Sequence, residues 1–189
     1  SGACEMAIAG GVSFVCTASG FGMYSAMKYL AKDWRCKAFA GGGDGWSKAE
    51  LFAAVLLKPY EAAVRDGDPI YAVVKATGTN HGGKGYFYTQ PNGIRHVELV
   101  REVCRKGNVD PRSIVHLEAH GSGTEMGDAL EFNSLSRALR EHAQERGVSL
   151  PAGQCGLGSI KSNFGHAEAG AGIAGFIKTV LLLHEGCLP

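Results

Sequence analysis

Three basic side chains in the second half of the chain, His120, Lys161 and His166, are of the types that hold or move protons and donate hydrogen bonds. Lys161 and His166 lie in Gly156–Gly175, which reads GLGSIKSNFGHAEAGAGIAG. A short apolar run feeds Lys161, a polar turn follows, and His166 opens a small-residue helix predicted to continue through Phe176 to Leu183. The pattern is strand, loop, helix, with two titratable groups at the switch. Glycine inside a helix costs roughly 1 kcal/mol relative to alanine, so AEAGAGIAG implies that something approaches the backbone closely. Tight helix packing would also use small residues, but the Lys–His pair at the helix mouth favours a site. His120 answers from Ile114–Thr124, IVHLEAHGSGT, a β-type run followed by Gly-Ser-Gly-Thr. Parallel α/β sheets carry their chemistry at the carboxyl ends of strands. His120 and Lys161 each sit at such an end, and only the tertiary fold can bring them together.

The elements that must do so are legible in outline. Met6–Val15 is a nearly continuous apolar run, predicted as a buried parallel strand and its turn. Phe21–Ala31 has helical spacing with Met23, Met27 and Leu30 on one side, read as core. Gly41–Gly45 resembles a phosphate cradle only loosely. A P-loop needs Lys-Ser/Thr directly after its last glycine, whereas Trp46 follows here, so a turn crossing a site is the better reading. Leu51–Lys58 is strand or helix by pattern alone. Pro59–Arg65 is a short helix, Ile70–Thr77 a β-rich strand, and Asn80–Pro91 a polar-aromatic loop. His81 in that loop, a lone histidine beside two glycines, reads as solvated. Asn92–Lys106 is an amphipathic helix with Val97, Val100 and Cys104 inward, and Val109–Ser113 is a turn. Gly127–His142 is a further helix and Glu145–Gln154 a surface connection.

The 189 residues amount to one domain's worth of α/β chain, with ordinary apolar content (45%) but 28 glycines, about twice the usual ~7%. Net charge is +1 and no basic block occurs, which argues against nucleic acid or an anionic membrane as partner. The six cysteines form no CxxC pair and read as reduced, mostly buried thiols of a cytoplasmic, soluble protein. No secretory signal is visible, and the apolar helix after His166 carries Lys178 and is too short to span a bilayer. The seven histidines lack i,i+4 pairing and HExxH, so no metal site is expected. Gly121-Ser122-Gly123 lacks the G-x-S-x-G spacing of a serine nucleophile.

Glu118-Ala-His-Gly-Ser-Gly-Thr124, then Gly127-Asp128 and Glu131, then Lys161-Ser-Asn-Phe-Gly-His166 with Glu168-Ala-Gly-Ala-Gly172, resemble the two histidine motifs of the β-ketoacyl synthases, most closely the ketosynthase domains of modular polyketide synthases. Cys4–Val12, Arg35–Phe39, Val55–Pro59, Arg65–Asp68 and Asn80–Asn92 are similar to the same family in the same order, so the resemblance runs nearly end to end. It implies a thiolase-like fold of α-β-α-β-α layers, here incomplete, with residues 1–189 as part of a ketosynthase domain. It favours a strand at Leu51–Lys58. Ser47-Lys-Ala-Glu50 departs from the family's Arg-Gly-Glu-Gly-like run, which puts the packing of that strand near the site in question.

The implied activity is decarboxylative condensation of an acyl thioester with malonyl-acyl carrier protein. Such chemistry needs a nucleophile for the acyl group and donors for the enolate oxygen. The resemblance gives His120 and His166 the enolate task, with Lys161 in support and Glu168 helping to set the network. It gives Ser122 and Thr124 contact with the phosphopantetheine arm of the carrier protein, and it implies a homodimer. The family's nucleophilic cysteine motif has no counterpart in this chain. Cys16 in Val-Cys-Thr-Ala-Ser imitates it but lies after the Ala-Gly-Gly-Val run rather than before it, so it is expected to be a buried thiol. The nucleophile is therefore expected on sequence upstream of Ser1, and a downstream glycine-rich motif beyond Pro189. A complementing subunit, a non-catalytic acyl-binding module and a fatty-acid-type synthase are the alternatives. A piece of a synthase or a complementing subunit would each expose much apolar surface.

Overall fold

A computed structural model describes residues 4–84 and 91–187. Two small sheets and six helices form its mixed α/β framework among those residues. Strand β1 (Ala7–Ser13) pairs antiparallel with β2 (Leu51–Leu57), Ala7 opposite Leu57 and Ser13 opposite Leu51. Between them runs α1 (Ala18–Ala26), and α2 (Tyr60–Asp66) follows behind the helix-starting Pro59. Helix α3 (Gly93–Lys106) is capped by Asn92, whose side chain accepts from the N–H groups of Ile94 and Arg95. Strand β3 (His116–Glu118) runs parallel to β4 (Gly156–Gly158), and α4 (Glu125–Glu145) connects them. The short α5 (Lys161–Phe164), a 3-10 turn (Glu168–Gly170) and α6 (Ala171–Glu185) complete the order.

The β1–β2 sheet has one covered face and one bare face. Ala7, Ala9, Gly11 and Ser13 point to the covered side, where the 3-10 turn and α6 pack. A Cβ on Gly11 would lie 3.1 Å from the Ala169 carbonyl and 3.2 Å from Gly170 Cα, and one on Gly170 would meet Leu51 at 3.0 Å. Gly175 comes equally close to Glu118. Gly170 and Gly175 thus serve close packing on β2 and β3, the alternative that the sequence left second, whereas Gly172 faces open space. On the other face Ile8, Val12, Phe52 and Leu56 share one side of the register and are exposed, Phe52 by 85% and Ile8 by 78%.

Several expected elements change. The Met6–Val15 run is not a buried parallel strand. Its partner β2 runs antiparallel and covers neither face, so alternate residues stay open. The Phe21–Ala31 helix ends at Ala26 and Lys28 turns the chain at φ +57°, leaving Met23 and Met27 exposed rather than in a core. Ile70–Thr77 forms no ladder among the described residues, and Tyr71, Val73 and Val74 face outward. His166 does not open the last helix. The chain first makes α5, then turns at Gly165 and again at Glu168, before α6 begins at Ala171. Of the loop predicted at Asn80–Pro91, residues 85–90 lie outside the described ones. The cysteines are all free, but only Cys36 and Cys104 are buried, whereas Cys4, Cys16 and Cys187 are exposed. Cys16 stands just before the exposed start of α1, with no layer over it.

What positions the site from below is the α3–α4 pair. Val97 and Cys104 meet a surface of α4 that buries Ala138, Leu139, His142 and Ala143. Arg101 pairs with Glu141 and Glu145, and Arg105 binds the Glu145 carboxylate at 2.7 Å. The fully buried His142 ring donates through Nε2 to the Val109 carbonyl at 2.9 Å, which ties α4 to the turn leading into β3. A cavity of about 390 Å³ bordered by Leu51, Phe164, Ile177 and Leu181 lies between β2 and α6; neither His120 nor His166 lines it.

Candidate active site

Loops at the carboxyl ends of two parallel strands bring the three basic residues together. His120 lies two residues beyond β3, and Lys161 three residues beyond β4. The Lys161 side chain is buried, with the residue 4% exposed, and its ammonium donates to the His120 carbonyl at 2.6 Å. Ser159 donates to the same carbonyl at 3.0 Å. The ring centroids of His120 and His166 stand 5.3 Å apart, nearly perpendicular, with an interplanar angle of 77°. Trp46 packs on the other side of His166 at 5.1 Å and is itself met by Tyr24 at 4.9 Å.

The His120 loop is held by carboxylates. Glu131, on α4, accepts the N–H groups of His120 and Gly121, each at 2.8 Å. Buried Asp128 accepts from Gly123 at 3.2 Å and from Phe39 at 2.8 Å. The sequence presents these two acids only as members of a motif; their spacing of one helical turn beside a Gly-rich loop is the signal that they cradle backbone donors. The Gly41–Gly45 segment crosses this loop, as the turn reading expects. Gly45 donates to the Gly123 carbonyl at 3.2 Å, and a Cβ on Gly43 would sit 2.6 Å from that same oxygen. Gly45 itself adopts φ +140° with the Tyr29 carbonyl 2.5 Å from any Cβ, a place only glycine fills without strain.

His166 is clamped by the very segment that departs from the family pattern. Its N–H donates to the Ser47 carbonyl at 2.7 Å, and the Ala49 N–H donates to its carbonyl at 3.0 Å. The ring's Nδ1 accepts the Glu168 N–H at 2.9 Å. That bond requires an unprotonated Nδ1, so the neutral ring carries its proton on Nε2 and offers one outward donor. The Glu168 carboxylate itself does not reach the ring but pairs with Lys48 at 2.6 Å. Glu50 accepts the Val15 N–H at 2.8 Å, tying the start of β2 to the end of β1.

The electrostatics keep both imidazoles neutral. Burial holds the His166 pKa down to about 4, aided by the Lys161 ammonium and by His120. His120 has an exposed residue surface, yet protein crowds the ring closely enough that burial lowers its pKa, with Lys161 next and Glu131 and Asp128 opposing. Lys161 is lowered from the ordinary lysine value by burial, against the pull of Glu131, Glu118 and Asp128. Two neutral rings beside an ammonium are equipped to donate hydrogen bonds to an oxygen that gains negative charge.

Ser122 is buried, 7% exposed, with its hydroxyl 3.3 Å from that of Thr124. Thr124 borders a cavity of about 630 Å³ together with Phe39, Gly41–Gly43 and Phe132. His81 is exposed, its Nδ1 accepting the Gly83 N–H at 3.1 Å, and takes no part in the cluster.

The mixed α/β fold, with His120 beyond a strand end and His166 facing it, has its counterpart among known families. Residues 1–63 match the family model for the β-ketoacyl synthase N-terminal domain, and residues 71–189 that for the β-ketoacyl synthase C-terminal domain. The chain belongs to the β-ketoacyl synthase family and has its thiolase-like α/β fold. Among curated relatives, polyketide synthase PksN of Bacillus subtilis is 43% identical over all of this chain, and the partially reducing polyketide synthase tpeA of Talaromyces stipitatus is 39% identical. The chain spans only 3% and 7% of those two proteins. Among solved structures, the oxazolomycin ketosynthase domain from Streptomyces albus superposes with a TM-score of 0.87 at 39% identity, over 95% of this chain and 30% of that one. The ketosynthase from module 6 of the bacillaene synthase of Bacillus subtilis gives 0.88 at 34% identity, over 94% and 31%.

Proposed function

We propose that this chain forms the condensing side of a β-ketoacyl synthase of polyketide biosynthesis, which joins an acyl thioester to malonyl-acyl carrier protein by decarboxylative Claisen condensation. The observation that carries this reading is the facing pair of neutral imidazoles, with His166 held as an Nε2–H donor. Loss of CO₂ from the malonyl thioester leaves an electron pair on the α-carbon that delocalises onto the thioester oxygen. His166 Nε2–H and an N–H of His120 donate to that oxygen as its charge develops. The α-carbon then attacks the carbonyl of an acyl group held as a thioester on a cysteine. The C–S bond breaks, the thiolate departs, and the β-ketoacyl chain remains on the carrier protein. Lys161 biases both rings toward neutrality and anchors the His120 backbone.

Phosphopantetheine on the acyl carrier protein supplies the thioester sulfur, and Thr124, backed by Ser122, would hold its arm. The cysteine nucleophile, the carrier protein and a homodimeric assembly belong to the same proposal, with the nucleophile on sequence outside these 189 residues. The bare apolar face of β1 and β2 also suits a subunit that docks without catalysis. The His pair favours catalysis, because docking has no use for two neutral rings beside a buried ammonium.

The test is a ketosynthase containing this chain, assayed separately for acyl loading and for condensation. His120→Ala and His166→Ala are each expected to reduce condensation about 10²–10³-fold, the usual effect of deleting one oxyanion donor, and to reduce loading far less. Equal small effects on both half-reactions would refute the assignment.

A further inference from the structure

We infer that Lys48 is a positioning residue for condensation: its ion pair with Glu168 holds the turn that fixes the His166 ring as an Nε2–H donor. This rests on the condensation reading above.

The His166 backbone is secured from residues 47 and 49 by main-chain bonds alone, whatever side chain stands at 48. The ring is another matter. Its tautomer and direction depend on one N–H, that of Glu168, delivered to Nδ1 at 2.9 Å. Glu168 presents that N–H from a left-handed conformation, φ +42°, which a non-glycine residue adopts only when its surroundings enforce it. Among the described residues, the Glu168 carboxylate bonds Lys48 Nζ, at 2.6 Å. The Lys48 side chain is only 7% exposed, and its ammonium also stands 4.4 Å from the Tyr24 ring centroid and 5.8 Å from that of Phe21. Tyr24 packs on Trp46, and Trp46 on His166. Lys48 therefore joins the acid that shapes the turn to the aromatic stack behind the ring. Such a seat suits one cation and no neutral residue of the same length.

The titratable groups facing His166 are Lys161, His120, Glu168 and Lys48. Removing the Lys48 ammonium leaves the Glu168 carboxylate uncompensated beside the ring, which favours the imidazolium. The acid limb of condensation must then move to higher pH. A purely structural role for Lys48 would not move it.

In the complete ketosynthase, Lys48→Met is expected to lower the kcat of condensation roughly 10- to 100-fold, the scale of a misplaced catalytic group, with little change in KM for the malonyl carrier. The acid limb should rise, and Lys48→Arg should restore most of kcat. If Lys48→Met does not fold, Glu168→Gln tests the same bond and should cut kcat comparably while moving the acid limb the other way. Full kcat and an unmoved limb in these variants, with His166→Ala inactive, would overturn the role of Lys48 alone. So would a kcat loss that Arg does not rescue and that leaves the limb in place. Full condensation by His166→Ala would instead overturn the underlying reading, and this inference with it.

Discussion

At the scale of single residues, the site works by keeping charge off two rings. His166 in the folded chain takes up its proton only near pH 4, against 6.5 for an unperturbed ring. Between those values the unfolded chain binds more protons than the folded one, so stability is complete above about pH 6.5 and declines as pH falls toward 4. For a partly exposed ring the loss is on the order of 2 kcal/mol. Urea midpoints measured from pH 7 to pH 4 should show it, and His166→Asn should flatten the curve. Lys161 is the other lever. Its ammonium lowers the pKa of both histidines, so Lys161→Met should raise the acid limb of condensation as well as cutting its rate at least about tenfold. Lys161→Arg should not rescue, because a planar guanidinium cannot occupy a buried seat shaped for one point donor to the His120 carbonyl. A pH–rate profile of the three forms decides this.

At the scale of elements, the machinery is two strand-end loops braced by a helix and crossed by a glycine turn. Gly45→Ala should destabilise the domain by more than about 2 kcal/mol, since it forces a left-handed alanine Cβ into the Tyr29 carbonyl; thermal or urea unfolding measures it. Gly147→Ala, at a positive φ but with open space around it, is the milder control. The strand-end positions of His120 and Lys161 were legible in the sequence because apolar runs ending in Gly and polar residues have few other readings. The extent of α3 was legible too, through its periodic apolar face; that Asn92 caps it was seen only in the structure. Register and partner choice were not. Met6–Val15 has the composition of a buried strand, but the 3-10 turn and α6 pack on one face only and no described element covers the other. Ile70–Thr77 has strand composition, but a strand exists only where another pairs with it. Which atoms of Glu168 bear on the histidine network was not legible either. Its motif position marks it as part of the histidine network, whereas the structure uses its backbone N–H on His166 and its carboxylate on Lys48.

At the scale of the whole molecule, the chain has a corner where the histidine pair meets and an apolar flank that no described element covers. Ile8, Val12, Phe52 and Leu56 form a face too apolar to stand in water over a large area, which accords with a segment spanning 30% of a ketosynthase chain such as that of oxazolomycin biosynthesis. Cys36 is buried with its thiol on Ser47, and Cys16 is exposed. The central claim, that these residues condense and a cysteine elsewhere holds the acyl group, is most directly tested by mapping the acyl adduct. A ketosynthase containing this chain would be loaded from an acyl thioester, digested, and its acylated peptide identified by mass spectrometry. The adduct is expected on a cysteine outside these 189 residues. Stoichiometric acylation of Cys4, Cys16, Cys36, Cys104, Cys155 or Cys187, discharged on adding malonyl carrier, would contradict the account.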